Sequence, residues 1–229
     1  MIKFENTEVF GWQSAIRGMR NPMNSWDKSD SFWNDEYDYV MGKFTIGEND
    51  LNLMKKLIRG GTDHSKFMRM INVTVDITAP RYWWTEFDTY KVGTVRNSCS
   101  TMHKIHDKEF TLDDFSHEHL DQFTWKTETD DTITHKAYNF VLPLENLILT
   151  LNIARRRYLE TQDKRYWWQM IQLLPQSYNQ RATVQLNYAL LRNIYHSERK
   201  HHKLDEWRIG FMEWIESLPY SELITGDFF

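Results

Sequence analysis

The chain has 229 residues, with 28 Lys and Arg against 32 Asp and Glu and a formal net charge of −4. That length supports one sizeable domain with its own core, and the mild acidity argues against a nucleic-acid binder, which shows a basic excess. The single cysteine, Cys99, excludes an internal disulfide and fits a reducing, cytoplasmic setting.

No apolar run reaches bilayer-spanning length, and the opening Met1-Ile2-Lys3-Phe4-Glu5 does not read as a signal peptide. Residues 2–10 read as a strand and 12–20 as a short helix. Residues 21–47 are rich in Asn, Ser, Asp and Trp and have no clear period. That is long for a bare loop, so partial structure or a functional role is expected. Arg17, Arg20 and Asn24 could reach a ligand there or be ordinary surface residues. Residues 48–59 form an amphipathic helix on Leu51, Met54, Leu57 and Ile58, stopped by Gly60-Gly61.

A period-two segment follows: Ile71, Val73, Val75 and Ile77 face one way, and Asn72, Thr74, Asp76 and Thr78 the other. Pro80 suits the first turn of a helix. From Gly93 to His103 a polar loop gathers Arg, Asn, Ser and Thr, a place to hold an anionic ligand. The acidic stretch 106–134, with Asp113, Asp114, Asp121, Asp130 and Asp131, lacks the ligand spacing of a closed metal site and reads as a solvated excursion. Helices are expected over 143–162, 164–174, 179–198 and 202–216, with a loose tail after Pro219. His196, His201 and His202 point in different directions on a helix, so they read as surface and no metal is expected. Two basic clusters, 155–157 and 199–203, are solvated helix faces or phosphate contacts within an oligomer. The 10 Trp, 11 Tyr and 13 Phe supply core and subunit contacts. With no repeat and no linker, residues 1–229 read as a single domain.

The order from Asp63 to His103 resembles the signature region of the flavin-dependent thymidylate synthases. His64 falls on the family histidine and Ala79-Pro80 on its break. Thr89-Tyr90-Lys91 falls on the family Arg-His-Arg. In the loop that follows, Thr94 falls on the first serine, Arg96-Asn97 on Asn-Glu, Cys99 on the second serine and Thr101-Met102 on Arg-Tyr. Further on, Leu174-Pro175 matches a Leu-Pro, Arg181 falls on an arginine near a helix start and Asn187 on the Asn of Asn-x-Arg. The arginine of that motif, which contacts and activates the pyrimidine, is Ala189 here. The matched regions and the helices between them cover most of residues 60–210.

The resemblance implies an α+β fold: a small, mostly antiparallel sheet flanked by long helices, in a homotetramer with active sites between subunits. It implies nucleotide contacts from Thr94, Arg96, Asn97, Cys99, Arg181 and Asn187, and FAD contacts from His64, Thr89, Tyr90 and Lys91. The family methylates dUMP reductively, with flavin carrying the hydride and folate the carbon, so the protein's share is binding, orientation and charge. Three readings follow. One is a divergent protein that binds a nucleotide or related phosphorylated ligand, with dUMP methylation impaired. Another is an active FAD-dependent enzyme making dTMP with methylenetetrahydrofolate and NADPH. The third is a structural oligomer that binds nothing. Lys91 keeps a charge but not the planar fork of arginine, whereas Arg96 adds a cation where the family has a carboxylate. Arg192 or Arg199 could replace the missing arginine at 189, and Cys99 offers a thiol in place of a serine.

Overall fold

The structure is a computed structural model that describes residues 2–34, 43–129 and 132–227. Asp130, Asp131 and residues 35–42 of the 21–47 segment lie outside it. The chain is α+β. It opens with β1 (Lys3–Phe10) and α1 (Trp12–Arg20), then a small antiparallel pair, β2 (Phe32–Asn34) with β3 (Lys43–Thr45), then α2 (Glu48–Arg59). After these come β4 (Asn72–Pro80), α3 (Arg81–Phe87), β5 (Val95–Ser98) and α4 (Thr101–Lys104). The antiparallel hairpin β6 (Gln122–Thr129) and β7 (Thr132–Asn139) precedes α5 (Val141–Thr161) and α6 (Lys164–Leu173). The chain closes with β8 (Asn179–Asn187), α7 (Tyr188–His196), a π-helical turn at Glu206–Phe211, α8 (Met212–Glu216) and α9 (Glu222–Thr225). The strands β1, β4, β8 and β5 make a four-stranded sheet in that order.

Several expectations change, among them the single helix over 202–216, which is a π-helical turn at Glu206–Phe211 followed by α8. Residues 179–198 are not one helix. Ala182, Val184 and Leu186 are buried at alternate positions, a period of two, and the helix begins only after Asn187. The 93–103 loop contains the strand β5 and the short helix α4. The 106–134 excursion carries the first strand of a hairpin. The tail after Pro219 is tied down by α9, whose Leu223 and Ile224 are fully buried.

The chain divides into two compact units. One comprises Thr78–Phe87 and Ser98–Arg181; the other comprises Ile2–Ile77, Asp88–Asn97 and Ala182–Phe229. In the first, α5 and α6 enclose an apolar cluster that includes Leu144, Ile148, Leu151, Met170, Phe110 and Phe115. One polar side chain sits inside it. Asn152 on α5 accepts the Phe110 N–H at 2.9 Å and donates to the Phe110 carbonyl at 2.8 Å, so no amide group is stranded.

In the second unit, Val73, Val75 and Ile77 of β4 are fully buried, as their alternation predicts. On the opposite face Asp76 accepts hydrogen bonds from Asn6 and Thr183. Aromatics close the C-terminal part: Phe4 stacks on Trp214 with ring centres 4.8 Å apart, and Trp12 meets Tyr188 edge-on. Arg20 is not an ordinary surface residue. It ends α1 with 4% exposure and pairs with the fully buried Asp50 of α2, Nε to Oδ1 2.6 Å. Among the described residues no helix is long and apolar enough to cross a membrane.

Candidate functional site

Helix α7 begins at Asn187, whose Oδ1 accepts the Leu190 N–H at 3.0 Å. An N-cap of this kind satisfies one of the open backbone donors of the first turn. It also fixes the side-chain amide, leaving Nδ2 turned towards Gly93. A Cβ on Gly93 would lie 2.9 Å from that nitrogen, and Gly93 has φ of +83°. Gly93→Ala is therefore expected to cost about 1–2 kcal/mol from the left-handed backbone, with a further loss from displacing Asn187. Urea denaturation measures this, and an alanine variant as stable as the parent would refute the fit.

Around this turn lies a cavity of about 500 Å³ lined by Thr89, Tyr90, Lys91, Gly93, Asn187, Ala189 and Asn193, with Arg69 from the turn before β4. A second cavity, of about 400 Å³, is lined by Gly61, Thr62, Ser65, Arg69, Ala189, Arg192, Asn193 and His196. The two share Arg69, Ala189 and Asn193. Side by side they line a trough along α7, with Lys91, Arg69 and Arg192 on its walls; no carboxylate is among the lining residues, but Asp227 interacts with Arg192 and His196. In a chain of net charge −4, such a cleft concentrates positive potential and attracts anions.

Tyr90 is held in place. Its hydroxyl accepts the Arg199 Nε–H at 2.8 Å, and the guanidinium lies 4.8 Å from the Trp207 ring centre. Arg192 is anchored too, its Nη1 donating to the Ile224 and Gly226 carbonyls at 2.8 Å each.

The other expected contacts lie elsewhere. Arg96 pairs with Asp88, Nη1 to Oδ1 2.7 Å, so the extra cation is matched by a carboxylate. Thr94 donates its hydroxyl to the Tyr90 carbonyl. Asn97 is exposed on β5, and His64 is exposed on the turn after α2, between residues that line the second cavity. Cys99 and Arg181 belong to the first unit, where they line a separate cavity of about 700 Å³. Their backbones are joined by a hydrogen bond from the Cys99 N–H to the Arg181 carbonyl at 2.9 Å. Arg181 is on β8, not at a helix start. This cavity has Lys104, Lys108 and Arg181 against Asp107, Asp113 and Asp114. Lys104 pairs with Asp107 at 2.9 Å and Lys108 with Asp114, so the charges largely cancel. Among the described residues no group of three or more His, Cys, Asp or Glu is arranged to hold a metal ion.

No family model matches the sequence, and no curated protein does. Solved structures do match. The flavin-dependent thymidylate synthase ThyX from Helicobacter pylori, complexed with FAD and dUMP, superposes with a TM-score of 0.62 over 97% of each chain at 16% identity. A UMP/dUMP methylase, PolB from Streptomyces cacaoi, bound with 5-Br UMP, superposes at 0.58 over 98% of this chain and 94% of that one at 13% identity. The chain has the flavin-dependent thymidylate synthase fold. On this fold the sequence-derived residues Thr89, Tyr90, Lys91 and Asn187 share one cavity. Arg69 and Asn193 line it as well, and the sequence reading passed over both. Arg69 had no motif to mark it, lying between the Gly-Gly turn and the start of the alternating strand. Asn193 lies four residues after Ala189 on α7, a spacing that puts both on one helix face once the helix start is set at 188.

Proposed function

We propose that this protein binds a nucleotide or a related phosphorylated ligand in the trough beside α7, and that it methylates dUMP poorly or not at all. The observation that carries the reading is electrostatic: Arg69 and Lys91 line the trough, and no carboxylate is among its lining residues. A guanidinium gives phosphate two parallel hydrogen bonds, and an ammonium adds a point charge. The capped Asn187 amide and Asn193 add neutral donors. The similar structures hold FAD with dUMP and 5-Br UMP, which supports the ligand class.

FAD is the cofactor that the resemblance implies. The cation set suits its pyrophosphate, with Arg69 and Lys91 as the holding residues. Bound there, the flavin would supply hydride transfer. The chain's own residues would bind and orient it, Tyr90 standing as a fixed wall under the hold of Arg199. Methylation is the weaker part. Ala189 offers no group to polarise a pyrimidine, and Arg192 and Arg199 are engaged with carbonyls and with Tyr90. Losing one such charged contact costs roughly two to three decades in rate. The reading includes a homo-oligomer, a tetramer by resemblance, supported by the exposed apolar side chains Leu142, Leu149 and Ile153 on α5.

The test is thermal unfolding of purified protein with UMP, dUMP or FAD. A ligand at a hundred times its dissociation constant adds about 2.7 kcal/mol of stability, a clear rise in Tm. At least one nucleotide is expected to produce it, and dTMP formation with methylenetetrahydrofolate and NADPH is expected to be near background. No rise with any of them defeats the binding reading, and brisk turnover defeats the impairment. Light scattering on the same sample gives the assembly, and a monomer removes the oligomer.

A further inference from the structure

The long helix α5 buries one face and leaves the other bare. Leu144, Ile148 and Leu151 pack into the apolar cluster of the first unit. On the opposite side Leu142 is 51% exposed, Leu149 62% and Ile153 54%. At about 100° of turn per residue, these three fall within about 40° of one another around the helix axis. They make an apolar stripe on a face where a solvated helix carries polar side chains. Two charged residues flank the stripe on one side: Glu145 and Arg156, both exposed and roughly three turns apart. Arg157 pairs with Glu160 along the helix, whereas among the described residues neither Glu145 nor Arg156 has an ion-pair partner.

We infer that the exposed face of α5 is a docking surface for a second copy of this chain, the two α5 helices lying antiparallel about a two-fold axis at the level of Leu151. The inference rests on the homo-oligomer reading above and names its interface. The pattern is self-complementary about that level. Leu149 and Ile153 stand two residues before and two after it, and Glu145 and Arg156 stand six before and five after. A two-fold axis across the helix reverses its direction and keeps each flank against the same flank of the partner. Leu149 then meets the partner subunit's Ile153, and Glu145 meets the partner subunit's Arg156. Symmetry makes each contact twice. The charges lie beside the apolar seam, where the flanking residues of paired helices form bridges. A parallel pair would set the two Glu145 carboxylates at one level and the two Arg156 groups at another, roughly 16 Å away, with no bridge between them. The charges therefore select the antiparallel arrangement. With 21 residues α5 is roughly 30 Å long, so all four contacts fit within one helix pair.

The test is analytical ultracentrifugation of the full-length protein and two sets of variants. The parent is expected to sediment as a dimer or a multiple of one. Leu149→Asp combined with Ile153→Asp is expected to halve that mass or lower it further. The far-UV circular dichroism of the parent is expected to remain, since both side chains face solvent in the protomer. The charge set reads the pairing itself. Glu145→Arg and Arg156→Glu are each expected to raise the dissociation constant at least tenfold, because like charges then oppose each other at both symmetric contacts. The double variant E145R/R156E restores opposite charges and is expected to return to within threefold of the parent, a recovery that residues supporting only their own helix would not show. An assembly whose mass survives L149D/I153D, or a double charge variant no tighter than the single ones, overturns the inference and leaves the oligomer on another surface. A monomeric parent removes the oligomer reading, and the inference goes with it. Should L149D/I153D fail to fold, the charge set decides alone.

Discussion

Replacing Asp50 with alanine is expected to destabilise the fold by about 3–5 kcal/mol, the usual cost of stranding one member of a buried ion pair. Asp50 is fully buried and Arg20 nearly so. The carboxylate takes Arg20 Nε–H on Oδ1 at 2.6 Å, and the hydroxyls of Ser29 and Ser31 on Oδ2 at 2.6 Å each. The rest of the guanidinium donates to the Ser25 and Lys28 carbonyls. The next carboxylate, Asp30, accepts the N–H groups of Asn49 and Asp50 and so caps α2. One buried carboxylate therefore fastens the 25–31 segment to two helices. For a domain with ~5–15 kcal/mol of net stability, this is a large share. Burial would push the Asp50 carboxyl up. The hydrogen bonds from Ser29 and Ser31 and the Arg20 guanidinium outweigh it and hold the pKa below its ordinary 3.8. The sign follows from linkage: the stabilisation is present above about pH 4 and is lost as pH falls through the lower, folded-state value. Urea titrations from pH 3 to 7 should show parent and D50A converging at the acid end. A constant gap across that range would contradict the ionised pair. The double variant Arg20→Leu with Asp50→Leu should recover part of the loss but not all, because Ser29, Ser31 and the two carbonyls keep unmatched groups.

What the sequence disclosed, and what it hid, follows from the range of the interactions involved. Helices α1, α2, α5 and α6 and the strand β4 were legible because their periodicity and stop signals are local: Gly60-Gly61 after α2, the strict alternation of 71–77. The strand β8 was misread. Its polar positions Thr183 and Gln185 and the helix-compatible Leu186 run straight into Tyr188-Ala189-Leu190, so a helical period extends backwards over a strand that only the sheet demands. Arg20 was misread for a related reason: its partner is thirty residues away, and sequence spacing cannot show a buried pair. The site was half legible. Thr89, Tyr90, Lys91 and Asn187 come together because the segment after α3 and the start of α7 meet at Gly93 and Asn187. Arg96 looked like a gained cation, but Asp88, eight residues earlier, neutralises it. Charge counted along a chain is blind to such cancellation, and the same blindness concealed Arg69, the cation with no motif around it.

Arg69 is therefore where the second large effect is expected. Arg69→Ala should weaken UMP binding roughly ten- to a hundredfold, the range for losing a hydrogen bond to a charged group. Lys91→Ala should cost less, since a flexible ammonium contributes charge without a fixed geometry. The two should combine in R69A/K91A to leave binding close to undetectable; losses that simply add would place them on separate groups of the ligand, and a sum well short of additive would place them on one shared anion. Salt provides an independent check. Exposed cations are screened over about 10 Å at 0.1 M ionic strength, so parent affinity should fall as salt rises, and R69A/K91A should lose most of that dependence. Arg96→Ala and Arg181→Ala provide the contrast. Arg96 is matched by Asp88, and Arg181 lines the charge-balanced cavity of the other unit. Calorimetry on the four single variants separates the two possible locations. If R181A abolishes UMP binding while R69A leaves it intact, the nucleotide sits among Cys99, Lys104 and Arg181, and the cation count that favours the α7 trough has been overruled by geometry.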